Sequence, residues 1–221
     1  VMLATLALEL IFLVYVIAKY KMTTLSRLVG SILFFLAVFQ LAEYFVCGGL
    51  GGNALTWSRI GFVAITILPA LGIHLLYTIA GKGWNNLIGT VYGMTIAWIV
   101  VFAVSEKVFS GNICAGNYVI FQVKPAVSYL YTAHYFFWLF VGTYLCIKFS
   151  KSLKDANSKK ALLLFGLGYA TLLAPTTTVN LLKPETLSGV PSIMCGLAIV
   201  LAGILTFGIM PLVAKPRTDR K

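Results

Sequence analysis

An all-α fold, a bundle of seven helices crossing a lipid bilayer, is what this sequence predicts, and three observations carry that expectation. Of the residues, 60% are hydrophobic and only 10% charged, with a mean hydropathy of +0.94; a water-soluble domain keeps roughly a quarter of its residues charged. The apolar residues fall into seven runs of about 20, the length that crosses ~30 Å of hydrocarbon at ~1.5 Å per residue. All the basic residues but Arg59 sit between those runs, and mostly in alternate gaps.

In chain order the runs are 2–18, 28–47, 57–80, 87–105, 126–147, 161–182 and 190–214. The chain opens on Val1 rather than Met, as a fragment or a processed form would. Its first run lacks a basic leader and is as long as a span, so a true helix is expected there and not a cleaved signal. No run alternates polar and apolar residues over about ten positions as a membrane strand does; AIVLAGILTFGIM in the seventh is apolar on every side. Most connections are short, which makes successive helices antiparallel neighbours. The exception is 106–125, EKVFSGNICAGNYVIFQVKP, where two β-prone runs around Gly111 and Gly116 predict a small outer hairpin, a candidate lid. The expected organisation is one transmembrane domain, 1–214, and a short basic tail, 215–221. No internal repeat is visible, which weighs against a transporter built from duplicated halves.

Thirteen lysines and arginines follow runs one, three, five and seven, against four on the other side: Arg59, Lys107, Lys124 and Lys183. The positive-inside rule then puts the N-terminus outside and the C-terminus in the cytoplasm of a cell whose inner membrane the chain crosses repeatedly. The net charge of +11 is accounted for by topology and by attraction to anionic lipid. The expected partner is therefore the bilayer, and nucleic acid is not expected.

The polar residues inside the runs are the candidate site. Gln40, Glu43 and Tyr44 share one helix face at spacings of three and four. Counting rise per residue puts Glu43 about 6 Å, Gln40 about 11 Å, Glu9 about 10–12 Å and His134 about 12 Å below the outer end. Thr176, Thr177, Thr178 and Asn180 fall in the same half just after Pro175, with Tyr129, Tyr131, Tyr135, Ser192 and Cys195 in reach of it. An acid inside a span costs about 2.5–3.5 kcal/mol on insertion scales and faces the bundle interior. Two readings stand side by side: an outward-facing polar pocket for a small ligand or ion, with Glu9, Gln40, Glu43, His134, Thr177 and Asn180 as binding residues, or an interhelical hydrogen-bond network that fixes packing. For Glu9 alone the packing role is the expected one; for Gln40 with Glu43 it is the pocket.

His74 lies about 24 Å below the outer end, some 12 Å from the level of His134. The two histidines therefore cannot flank one haem, and His74 is expected to be a hydrogen-bonded core residue. Cys47 and Cys114 both map to the outer face, where a disulfide between them can persist; Cys146 and Cys195 are expected to be buried as small apolar residues. The cysteine spacing makes no metal pattern, the seventh run has no lysine to hold a retinal Schiff base, and no hydrolase or phosphate-loop motif occurs. No catalytic residue, cofactor or metal is expected.

The stretch TWSRIGFVAITILPALGIHLLYTIAGKGW, 56–84, carries a Trp and an Arg ahead of an apolar helix, a proline within it, then an aromatic and a basic turn: Trp57, Arg59, Pro69, Tyr77 and Lys82. It resembles the third helix of the seven-helix N-terminal sensor region of bacterial histidine kinases. The region 129–182, with the basic loop KFSKSLKDANSKK before ALLLFGLGYATLLAP, resembles helices five and six of that module. The resemblance implies a seven-helix sensor with the same orientation and passes on no binding residue. No kinase domain follows Lys221, which departs from the family and implies either a cut chain or a stand-alone relative.

Two functions follow. The first is a sensory or receptor-like module, with ligand in the outer pocket, helices that bend at Pro69, Pro175 and Pro211, and a cytoplasmic signalling partner. The second is a structural accessory subunit of a larger membrane complex, with small-residue faces such as Gly166/Gly168/Ala170 in close helix contacts and FFWLF, 136–140, against lipid, a pigment or another subunit. A proton or transport path ranks last, because polar groups give out below His134.

Overall fold

A computed structural model describes residues 2–48, 53–115, 118–182 and 190–217. Seven helical segments among them are long and apolar enough to cross a membrane, and the chain is a multi-pass membrane protein. Helix α1 spans Met2–Lys19 and α2 Thr24–Val46. The third span is two helices, α3 (Ala54–Thr66) and α4 (Leu68–Ile79). Then come α5 (Asn86–Val104), strands β1 (Phe109–Ala115) and β2 (Tyr118–Val123), α6 (Pro125–Ser152) and α7 (Ala156–Leu182). The last span is composite: α8 (Val190–Gly203), a π-helical stretch over Ile204–Ile209, and α9 (Met210–Val213).

Local chemistry sets these boundaries. Thr23, Asn53 and Asn85 each accept a backbone N–H of the helix that follows, filling donors that a helix start leaves open. Asp155 does the same for α7 through Ser158, 2.8 Å away, and the Ser158 side chain and N–H hold its carboxyl below the usual range. Gly81, at φ +66°, closes α4 in the left-handed conformation, with Gly81 N–H donating to Thr78 and Lys82 N–H to Tyr77. Pro69 lacks the N–H that would continue α3, so the chain breaks at Ile67 and restarts with Pro69 in the first turn of α4. The fifth span outruns its apolar run: α6 continues through Lys148 and Lys151 until Leu153 turns extended.

Helix α2 is the hub, touching α1, α3, α4 and α8, and it is mostly buried, as is the α3–α4 pair. Helices α1 and α5 leave most of their length exposed. The antiparallel hairpin β1–β2 covers one end of the bundle. Val119 and Phe121 alternate inward from β2 and are fully buried; Phe121 meets Phe39 and Phe62 at 5.9 and 5.4 Å. At the opposite end the segment after α9 lies against the α1–α2 turn: Tyr20 bridges to Pro216, Lys21 N–H donates to Lys215 and Arg217 N–H to Lys19.

The deepest close fit is made by Tyr169 of α7, whose ring lies where two neighbouring helices carry no side chain. A Cβ at Gly142 would come within 2.6 Å of that ring, and one at Gly72 would overlap its hydroxyl. Gly142→Ala and Gly72→Ala are each expected to destabilise the bundle by about 1–3 kcal/mol, lowering the unfolding midpoint in mild detergent, whereas Gly196→Ala, with nothing within 4 Å, leaves it unchanged.

Candidate functional site

Helix α1 buries a narrow seam, Met2, Thr5, Glu9 and Val16, against its neighbours. Glu9 therefore sits where a coiled helix pair would place an apolar residue. It is 0% exposed, and both carboxyl oxygens are buried with no hydrogen-bond partner among the described residues. Across the seam, on α2, Gln40 and Glu43 are each 3% exposed. Glu43 is close enough for its charge to act on Glu9, so the two acids form one electrostatic unit in surroundings of low dielectric, where like charges repel strongly.

The hairpin is anchored one turn above Glu43. Cys47, the residue that caps α2, is bonded to Cys114 of β1 with Cα atoms 5.6 Å apart, and its N–H donates to the Glu43 carbonyl. The carboxyl pair therefore lies beneath a covalently tethered cap rather than beneath a free loop.

The remaining candidates occupy other helices. His134, 8% exposed on α6, stands between Trp98 at 6.0 Å and Trp138 at 6.4 Å, and both ring nitrogens are buried without a partner among the described residues. Nearby, Tyr131 shares a hydrogen bond with Thr66 at 2.9 Å, whereas Tyr129 is largely exposed. On α7, Thr176 donates to Leu172 and Thr178 to Ala174. Each hydroxyl bonds back to the carbonyl four residues earlier, a pattern that bends helices, and both bonds span Pro175. Thr177 and Asn180 are half-buried, the Thr177 hydroxyl having no partner among the described residues. The side chains of Ser192 and Cys195 lie outside the described residues. His74 is half-buried, hydrogen-bonded to Tyr92 at 3.2 Å and edge-on to Trp84; Cys146 is fully buried.

Other described residues line cavities away from the acids. One, of about 30 Å³, lies deep in the bundle between Pro69, Gly72, Leu139 and Tyr169; it has room for about one water and an apolar wall that offers it nothing to bond. Another is a groove of about 490 Å³ on the flank of α2 and α3, containing Arg59. In the sequence Arg59 counted as a charge outside the cytoplasm and as part of the resemblance at 56–84, not as a binding residue. The signal that would have found it is an arginine among apolar residues just inside a span. Among the described residues no three His, Cys, Asp or Glu come together as a metal site would require.

No protein-family model matches the chain, and no curated protein is similar to it. The site is read from its chemistry alone.

The Cys47–Cys114 bond closes a loop of more than sixty residues. Its removal, by Cys47→Ser with Cys114→Ser, is expected to cost about 2–4 kcal/mol, measured as a lower unfolding midpoint, while thiol alkylation of the denatured wild type before and after reduction differs by two groups.

Proposed function

We propose that the chain is a sensory, receptor-like membrane module that takes up a small cation, or the cationic group of a small ligand, between Glu9 and Glu43, with Gln40 beside them. The observation that carries this reading is Glu9: a fully buried carboxyl with neither oxygen hydrogen-bonded and a second acid in charge range. A charged carboxyl in hydrocarbon costs about 2.5–3.5 kcal/mol on insertion scales, and a bound cation offsets that cost for Glu9. His134 between its two tryptophans, with Thr177 and Asn180 on α7, belongs to the polar lining farther round the bundle.

In this reading the hairpin end faces outward and the basic tail lies in the cytoplasm of a bacterial inner membrane. Thirteen positive charges against four support that orientation. So does the disulfide at the hairpin end, because such bonds persist in oxidising compartments.

Output follows α1. Glu9 and the contacts with the last span are on the same helix: Phe12 and Tyr15 meet Phe207 of the π-helical stretch at 5.1 and 5.5 Å. Single π turns inside helices recur at functional sites, since the extra residue can be released into ordinary helix. Neutralising the acids favours closer packing of α1 on α2, and the shift reaches the last span and the tail strapped to Lys19 and Lys21.

The test is thermal unfolding of the purified chain in mild detergent, in sodium chloride against N-methylglucamine chloride, alongside native mass spectrometry for retained small molecules. At a hundred times its dissociation constant a cation stabilises by about 2.7 kcal/mol, and a midpoint rise of several degrees is expected that Glu9→Gln and Glu43→Gln each abolish. No cation response, no retained molecule and stoichiometric protein partners would instead make this an accessory subunit, with both acids fixing helix packing.

A further inference from the structure

The groove on α2 and α3 has features that the carboxyl pair does not use. It is lined by Phe34, Phe35 and Val38 from α2, by Thr56, Arg59, Ile60, Val63 and Ala64 from α3, and by Ala103 from α5. Its volume of about 490 Å³ lies within the 300–1,000 Å³ typical of small-molecule sites. Among these lining residues Arg59 is the only charged one.

The groove also has a direction. Arg59 is five residues into α3, about 7 Å below the hairpin end of that span, and Phe34 is twelve residues from the end of α2, about 18 Å below it. One leaflet of hydrocarbon is about 15 Å, half of the ~30 Å core. The groove thus runs from headgroup level to mid-bilayer along one leaflet, with its cation at the headgroup end and phenylalanines at the other. Trp57, stacked on Phe45 at 4.3 Å, sits at the same level as Arg59, as interfacial tryptophans do. A guanidinium at this depth pairs with phosphate through two parallel N–H donors.

We propose that this groove is a binding site for one anionic phospholipid of the leaflet at the hairpin end, its phosphate held by Arg59 and one acyl chain laid along Ile60, Val63, Val38 and Phe34. Charge complementarity selects the occupant. A zwitterionic lipid brings a compensating cation to a site whose lining already holds one. A free fatty acid brings a weakly acidic carboxyl, which protonates in surroundings of low dielectric, whereas a phosphodiester keeps its charge there.

The experiment is native mass spectrometry of the full chain in mild detergent, titrated separately with phosphatidylglycerol, phosphatidylcholine of the same chains, and oleate. One phosphatidylglycerol is expected to stay bound at least tenfold more tightly than either competitor. Arg59→Gln is expected to remove that preference, and Thr56→Glu, which adds a negative charge at an exposed position on the rim, to do the same without touching the core. Unfolding midpoints report whether each variant is folded; should Arg59→Gln fail to fold, Thr56→Glu decides. Equal retention of phosphatidylglycerol and phosphatidylcholine, tighter retention of oleate, unaltered preference in folded variants, or no retained lipid would each overturn the assignment.

Discussion

A polar group inside hydrocarbon has no water to turn to, and the rest of this structure depends on how that constraint is met. Helices α1 to α9 satisfy most backbone groups internally, and side chains take up donors that the helix starts leave open. Thr23, Asn53, Asn85 and Asp155 close helix starts, Gly81 closes a helix end, and Thr176 and Thr178 donate to carbonyls around Pro175. Against that thrift Glu9 stands out, fully buried with neither oxygen bonded. A group so costly, set on a seam where a leucine would pack, is the one on which the proposed cation site rests.

Packing around the acids is unusually determined. Helix α2 is enclosed by four neighbours, the hairpin is clamped to its end through Cys47, and Phe121 is driven between Phe39 and Phe62. Lower down, Tyr169 fills the space left by Gly72 and Gly142. Interiors so tightly fitted move between discrete arrangements more readily than they deform. The peripheral helix α1 is the exception, for it is largely exposed and contacts both the acids and the last span. It is the element best placed to shift as a unit when the charge on its buried face changes.

The two proposed sites use opposite sides of the same hub. One is a buried acidic seam between α1 and α2; the other is a basic groove between α2 and α3, open on its flank. Their separation is a consequence of helix geometry: residues three and four apart share a face, so Gln40 and Glu43 turn one way while Phe35 and Val38 turn another.

How much of this was legible in the sequence follows from the range of the forces involved. Hydropathy and run length are local sums, so all seven spans could be read from composition, and so could the hairpin from its β-prone runs, though Gly116 itself lies outside the described residues. Outer-face position made a Cys47–Cys114 pairing conceivable, but the bonded geometry belongs to the fold. Depth along a span was also countable, which is why the buried acids were singled out. Direction around each helix was not: depth put Glu9, Glu43 and His134 in the same outer half, whereas the fold brought Glu9 within electrostatic reach of Glu43 and turned His134 between Trp98 and Trp138. The break at Ile67, the π-helical stretch at Ile204–Ile209 and the groove at Arg59 likewise arise from how neighbouring helices meet. The sequence by itself determined which segments enter the membrane, because transfer free energy adds residue by residue. Only the tertiary structure decided which polar groups face one another, because that depends on rotations about helix axes fixed by side chains far apart in the chain.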